Sequence, residues 1–315
     1  MKQRQFGRTG LQVSERGFGA WAIGGRAFGA VPAPEALAAL ARAEEHGCNF
    51  IDTAAVYGES EALIGTFLRD RRDRWIVATK YSGQPEGMTA LLEQQLRRLG
   101  TDHIDFHQIH WAPAEREASL YEELEALKRA GKIRFAGVSL KTLGDMHRVL
   151  AQPVIDGIQV PVSLLDPEPL ASALPLLRAR QPALVARSAL RGGFLAGRYG
   201  AATRFQDAND QRSQWDDAHI RRLAAQASAF DFLDSAHGGL RDAALAYPLS
   251  FPEVSTLVIS CKNATQVDQN LIDRPTLDAA ILMRIAQTQR RLGIGRRRLH
   301  RRLADRLRRL LGRDA

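Results

Sequence analysis

Four side chains of complementary chemistry, Asp52, Tyr57, Lys80 and His110, stand in the first 110 residues of this sequence. Together they suit delivery of a proton to an oxygen that is gaining negative charge. A phenol, with a pKa of about 10, is a poor acid at neutral pH. A neighbouring ammonium favours the phenolate and so lowers that pKa. Lys80 is expected to act on Tyr57 in this way, with Asp52 holding Lys80 charged and in place. His110 is expected to hydrogen-bond the same oxygen and fix its orientation. The reaction that calls for this set is hydride reduction of a carbonyl, in which the nascent alkoxide must take up a proton. No metal is required, since the histidines lack ligand spacing.

Taken one at a time, these residues have plainer readings. An Asp or Lys at a strand end is commonly a cap or a solvated charge. A lone Tyr packs with a wet hydroxyl, and a lone His is commonly a satisfied core residue. Placement favours the chemistry. Apolar runs recur near 17–21, 48–52, 75–80, 104–109, 134–138, 156–160, 183–188 and 255–259. Continuous apolar character suits strands buried on both faces of a parallel sheet. Helix-period stretches lie between them, such as 34–46, 60–69, 88–99 and 118–130. Eight strand–helix units in a chain of 315 residues predict a (β/α)8 TIM barrel, with chemistry at the C-terminal strand ends. Asp52 ends the second strand, Lys80 the third and His110 the fourth, while Tyr57 rides the loop after Asp52. Three successive strands thus bring four compatible groups to one rim. His107 is assigned to packing, because strand alternation turns it away from Phe106 and Gln108.

The elements outside the barrel are also legible. QRQFGRTGLQVS reads as an N-terminal β-hairpin that plugs the bottom of the barrel. The 66 residues 189–254 between strands seven and eight predict a long loop and extra helices over the catalytic face. Residues 1–292 therefore read as one barrel domain and 293–315 as a basic tail. Residues 290–315 hold eleven arginines and two aspartates, a balance equal to the net charge of +9 for the whole chain, so the remaining body is neutral. In that tail Leu299, Leu303, Leu307, Leu310 and Leu311 fall at helical spacing, predicting a basic amphipathic helix. It could lie on the barrel, reach a membrane surface peripherally or bind a polyanion. Without interleaved aromatics for base stacking, nucleic acid is disfavoured. No apolar run approaches the ~20 residues of a membrane span, the N-terminus lacks an apolar leader, and Cys48 and Cys261 form no disulfide framework. A cytoplasmic protein is expected.

The motifs resemble those of the aldo-keto reductase superfamily over roughly residues 3–292. FGRTGLQVSERGFGAWAIGG is similar to the family's opening. FIDTAAVYGESEALIG carries the Asp and Tyr of its catalytic tetrad, ATK the Lys and HIDFHQIHW the His. LKRAGKIRFAGVS is similar to the segment before the nicotinamide site. The resemblance implies an enzyme that moves hydride between a nicotinamide cofactor and an aldehyde, ketone or alcohol. It also leaves room for an accessory or regulatory subunit on the same barrel. It places Ser139 and Gln159 at the nicotinamide carboxamide, and Ser188, Leu190 and Gly192 in a strap over the pyrophosphate. Lys262, Gln266 and Asn270 fall at the adenosine end. A lysine beside a 2′-phosphate makes NADP(H) the expected cofactor over NAD(H).

Three positions depart from the family pattern. Leu140 stands where an Asn is usual, Ile259-Ser260 where Pro-Gly is frequent, and Arg187 where an aromatic ring commonly stacks on the nicotinamide. An arginine plane can stack too. Trp21, Tyr81 and Trp111 follow strand ends beside the tetrad and are expected to wall the substrate pocket. Gly17-Phe18-Gly19-Ala20-Trp21-Ala22 fits a dinucleotide fingerprint by letter. It lacks the following helix and the ribose-binding acid, so it is dismissed.

Overall fold

A computed structural model describes residues 1–25, 27–83, 87–110, 118–141, 143–166, 170–234 and 238–294. The basic tail beyond residue 294 and Trp111 therefore lie outside the described residues. The chain opens with a hairpin, β1 (Gln3–Gln5) and β2 (Gln12–Ser14), paired antiparallel. Eight parallel strands follow: β3 (Arg16–Gly19), β4 (Phe50–Asp52), β5 (Ile76–Tyr81), β6 (Ile104–Ile109), β7 (Ile133–Ser139), β8 (Ile155–Pro161), β9 (Ala183–Arg187) and β10 (Thr256–Ser260). β10 pairs with both β3 and β9, which closes the barrel. The outer helices are α1 (Ala33–Glu45), α2 (Ser60–Leu68), α3 (Gly87–Leu99), α4 (Ala118–Arg129), α5 (Met146–Leu150), α6 (Leu174–Arg180), α7 (Asp217–Ser228), α8 (Leu240–Leu249), α9 (Ala264–Asn270) and α10 (Ala279–Arg291). As the spacing predicts, residues 189–254 carry an additional helix, α7, and three short 3₁₀ segments among the described residues.

The hairpin fills the end of the barrel opposite the chemistry. Phe6 is fully buried, packing on Phe50 at 5.4 Å and edge-on to Phe106 at 5.1 Å. Gly137 in β7 and Gly157 in β8 make room for that layer, since a Cβ at either position would press into the Phe106 ring. Barrel interiors are close-packed, so a side chain that fills one layer must be matched by its absence in another. His107 is buried with Nε2 3.1 Å from Gln95 Oε1 of α3, outside the barrel wall. Burial alone pushes its pKa down to about 3. It packs, as strand alternation predicts.

Candidate active site

Asp52 is the last residue of β4, and its carboxylate is buried inside the barrel mouth. Its Oδ2 accepts a 2.7 Å hydrogen bond from Lys80 Nζ on β5. The same ammonium donates to the Thr53 carbonyl at 2.7 Å. Asp52 Oδ1 accepts from Gln159 Nε2 at 2.9 Å and from Gln108 Nε2 at 3.2 Å. The carboxylate is thus met by three partners from β5, β6 and β8. Two of the three ammonium N–H bonds are taken, and Nζ lies 5.1 Å from the centre of the Tyr57 ring.

Tyr57 reaches the mouth on the loop after β4, and a glycine contact sets its height. A Cβ at Gly24 would collide with the Tyr57 carbonyl oxygen, and one at Gly58 with the Gly24 carbonyl. The two glycines let the Tyr57 loop rest directly on the turn after β3. Above it, Trp21 stacks on the phenol ring at 5.8 Å and 27°, and Phe28 packs on Trp21 at 5.3 Å. The Tyr57 hydroxyl lies 3.5 Å from His110 Nε2. On the far side of that imidazole, Nδ1 is 2.7 Å from Ser82 Oγ. Asp52, Tyr57 and His110 therefore line one cavity mouth, with Lys80 fully buried behind them.

The electrostatics differ from expectation in one respect. Burial raises the Tyr57 pKa above its ordinary value, and the Lys80 charge only opposes that rise. Lys80 acts in the predicted direction, but desolvation of the phenol outweighs it. His110 is pushed down to about 3, first by burial and then by the charges of Lys80 and Arg187. At neutral pH the pair is a protonated phenol beside a neutral imidazole.

One cavity of about 810 Å³ connects this mouth to the remaining predicted residues. Trp21, Asp52, Tyr57, His110, Gln159, Arg187, Ser188, Leu190, Gly192, Lys262, Gln266 and Asn270 all line it. Ser139 does not line it: it is buried, donating to Gln159 Oε1 at 3.3 Å. Tyr81 departs from its expected place on the substrate wall. It sits in the main apolar core, because alternation along β5 sends Lys80 inward and the next residue outward.

The strap after β9 is built on unusual backbone. Ser188, Arg191, Gly192 and Gly193 all have positive φ, at 63°, 46°, 67° and 93°. Over it folds the 199–215 segment, organised by Arg212. That guanidinium pairs with Asp210 at 2.5 Å and donates to the Gly192 carbonyl at 2.9 Å. It also stacks on Phe28, Tyr199 and Phe205 at 4.9, 5.1 and 4.1 Å. Backbone bonds from Gln211 to Ala27 (3.0 Å) and from Gly29 to Asn209 (3.2 Å) carry the segment across to the turn after β3. Lys262 Nζ donates to the Phe28 carbonyl, tying β10 to the same turn.

Charge is segregated to this cavity, which the neutral body total conceals. Among the described residues its lining includes Lys141, Arg187, Arg191, Arg198, Arg212, Arg241 and Lys262 against Asp52 as its only acid. Asn270 Oδ1 is buried there without a hydrogen-bond partner among the described residues. A long, cation-lined cleft under a glycine-rich strap suits a polyanionic dinucleotide. Sequence reasoning missed Ser82, Gln108, Gly24, Arg198 and Arg212. Gln108 had a signal, since it shares the inward face of β6 with Phe106.

A closed eight-stranded parallel barrel with titratable groups at the C-terminal strand ends is the architecture of TIM-barrel enzymes. The model of the Aldo/keto reductase family matches residues 17–275, and the chain belongs to that family. Its members are oxidoreductases acting on carbonyl or alcohol groups of small molecules with a nicotinamide cofactor. Aldo-keto reductase YhdN of Bacillus subtilis is 31% identical, over 63% of this chain and 65% of that protein. The NADH-specific methylglyoxal reductase of Escherichia coli is 30% identical, over 62% of this chain and 70% of that protein. The holo form of aldo-keto reductase AKR11C1 from Bacillus halodurans superposes with a TM-score of 0.76 at 25% identity, covering 91% of this chain and 96% of that one.

Proposed function

We propose that this protein is a cytoplasmic, NADP(H)-dependent reductase of aldehydes and ketones, and in reverse an alcohol dehydrogenase, with Tyr57 as the general acid and base. The observation that carries the reading is the convergence of the Tyr57 hydroxyl, His110 Nε2 and the Asp52-held Lys80 ammonium at one end of a cation-lined cleft. The strap at Ser188–Gly192 and the cations of the cleft would hold the cofactor, with Gln159 at the nicotinamide end and Lys262, Gln266 and Asn270 at the adenosine end. Bound there, the nicotinamide supplies a hydride to the carbonyl carbon.

The chain's own groups handle the oxygen. Burial keeps the proton on Tyr57 until the oxygen becomes basic enough to take it. As charge transfers to the phenol oxygen, Lys80 is the neighbouring cation that stabilises it. Asp52, fixed by Gln108 and Gln159, keeps that ammonium from swinging away. His110 is neutral and so carries one N–H. Ser82 Oγ, 2.7 Å from Nδ1, holds the ring so that Nε2 faces the Tyr57 hydroxyl, and the tautomer protonated at Nε2 would donate to a substrate oxygen there. Trp21 and the exposed Val56 supply apolar surface for the substrate's body.

Arg198 and Lys262 favour NADP(H), since both line the cleft near Gln266 and Asn270 where a 2′-phosphate would need cations. Against them, Lys262 is bonded to the Phe28 carbonyl, and the Asp207 carboxylate lies close by, next to Gly29. The Escherichia coli relative is itself named for the other cofactor. The test is oxidation of NADPH and of NADH over a panel of aldehydes, ketones and sugars. Turnover with NADPH, at least roughly tenfold above NADH at equal concentration, is expected for a phosphate–cation discriminator. Equal or better turnover with NADH overturns the cofactor assignment. Cofactor binding without turnover on any carbonyl would instead make the chain an accessory subunit.

A further inference from the structure

Three cations around the cleft are paired with carboxylates. Arg212 pairs with Asp210 at 2.5 Å, Arg191 with Asp166 at 3.3 Å and Arg241 with Asp242 at 3.1 Å. Arg187, like Arg198 and Lys262, bonds only neutral oxygens among the described residues. It ends β9 at the reacting end of the cavity, and among the described residues no carboxylate lies within 4.0 Å of its guanidinium. Its two contacts are with neutral oxygens: Nη2 donates to the Leu140 carbonyl at 3.0 Å and Nη1 to Ser188 Oγ at 3.2 Å. Those bonds fix the plane of the group while leaving three of its five N–H donors unused and its charge without a direct ion pair among the described residues. Burial disfavours its charge first of all, and the acidic groups that bear on it are Tyr57, Asp166 and Asp52. A partly buried cation without a counter-ion costs stability. Its charge is therefore aimed at whatever fills the space before Tyr57.

We propose that Arg187 sets the redox balance of the bound cofactor, its charge disfavouring the cationic oxidised nicotinamide relative to the neutral reduced one. The inference rests on the reading that this cavity holds a nicotinamide next to Tyr57. In reduction, a hydride carrying two electrons forms the new C–H bond, and the Tyr57 proton forms the O–H bond. A nicotinamide bound before Tyr57 would be left one unit more positive, within reach of the Arg187 charge. Two unit charges about 5 Å apart at an effective dielectric near 20 repel enough to change an affinity ratio by at least tenfold. The overall equilibrium in solution is untouched by any catalyst. What Arg187 changes is the ratio on the protein, and with it the speed at which spent cofactor leaves after each reduction.

The test is the dissociation constant of the oxidised and of the reduced cofactor, each measured by titration without substrate. In the wild type the reduced form binds tighter. In Arg187→Gln, which can still hydrogen-bond Leu140, the ratio of the two constants is expected to fall at least tenfold, with a matching slowing of oxidised-cofactor release. Arg187→Lys, which keeps the charge, is expected to stay within about threefold of the wild-type ratio. Should Arg187→Gln fail to fold, Arg187→Met carries the same expectation. Equal weakening of both forms, or an unchanged ratio in a folded neutral variant, overturns the proposal. Binding of neither form by the wild type refutes the cofactor reading itself and is a separate outcome.

Discussion

A neutral imidazole carries one N–H, and the partner on the far side of the ring decides which nitrogen holds it. At His110 that partner is Ser82, 2.7 Å from Nδ1. Ser82→Ala is expected to lower kcat/KM roughly tenfold by freeing the imidazole ring to turn, with cofactor affinity unchanged. A loss of cofactor binding of the same size would make Ser82 a structural residue instead. The pH dependence follows from the same two groups. With the His110 pKa near 3 and that of Tyr57 raised, neither changes charge between pH 6 and 9. Carbonyl reduction should lack a step near the ordinary histidine value of ~6.5 and decline only as the phenol ionises above about pH 10. Alcohol oxidation, which needs the phenolate, should rise with pH across that range. The meeting of Asp52, Tyr57, Lys80 and His110 was legible in the sequence because strand alternation and strand ends fix where side chains point. The balance between burial and Lys80 at Tyr57 was not legible, because desolvation depends on what Trp21 and Phe28 cover.

Loops written far apart in the sequence meet at the mouth, and glycines decide how closely. Gly24 touches the Tyr57 carbonyl with no room for a methyl group. Gly24→Ala should lift the Tyr57 loop and cut turnover about 100-fold, as misplacement by about 1 Å can do. Near wild-type turnover in a stable Gly24→Ala protein would show that this contact does not position the phenol. The clasp formed by Arg212 works at the same scale. Removing it in Arg212→Ala frees the 199–215 segment from Asp210, Gly192 and three aromatic rings. Cofactor dissociation, followed by stopped flow, should then be at least tenfold faster; an unchanged rate would show that the segment does not retain the cofactor. The sequence announced a long insertion between β9 and β10 but not its route. That route depends on backbone pairing between Asp210 and Phe28, residues far apart in the chain.

Across the whole molecule, a neutral body hides a charged mouth. Cations from Lys141 to Lys262 reach one cleft only because the barrel brings the ends of β7, β9 and β10 together. Charge totals along the chain carry no trace of that, whereas the barrel itself was legible from eight apolar runs at steady spacing. Acid stability is also set by the fold as a whole. His107 and His110 are held neutral, with pKa values near 3, against about 6.5 in the unfolded chain. Their contribution is complete above pH 6.5 and is lost as pH falls from there towards 3, because the unfolded chain takes up protons that the folded one refuses. The Tm should fall by roughly 5 °C between pH 7 and pH 5. His107→Gln should flatten that slope, and an unchanged slope would mean that His107 is not held neutral by burial.

The account stands most directly on the proton held at Tyr57. Tyr57→Phe removes the hydroxyl and keeps the ring against Trp21. Measured under saturating cofactor and aldehyde, its turnover should fall by roughly 10²–10⁴, the range for a lost general acid, with the dissociation constant for NADPH within about threefold of wild type. Turnover near the wild-type level would contradict the account.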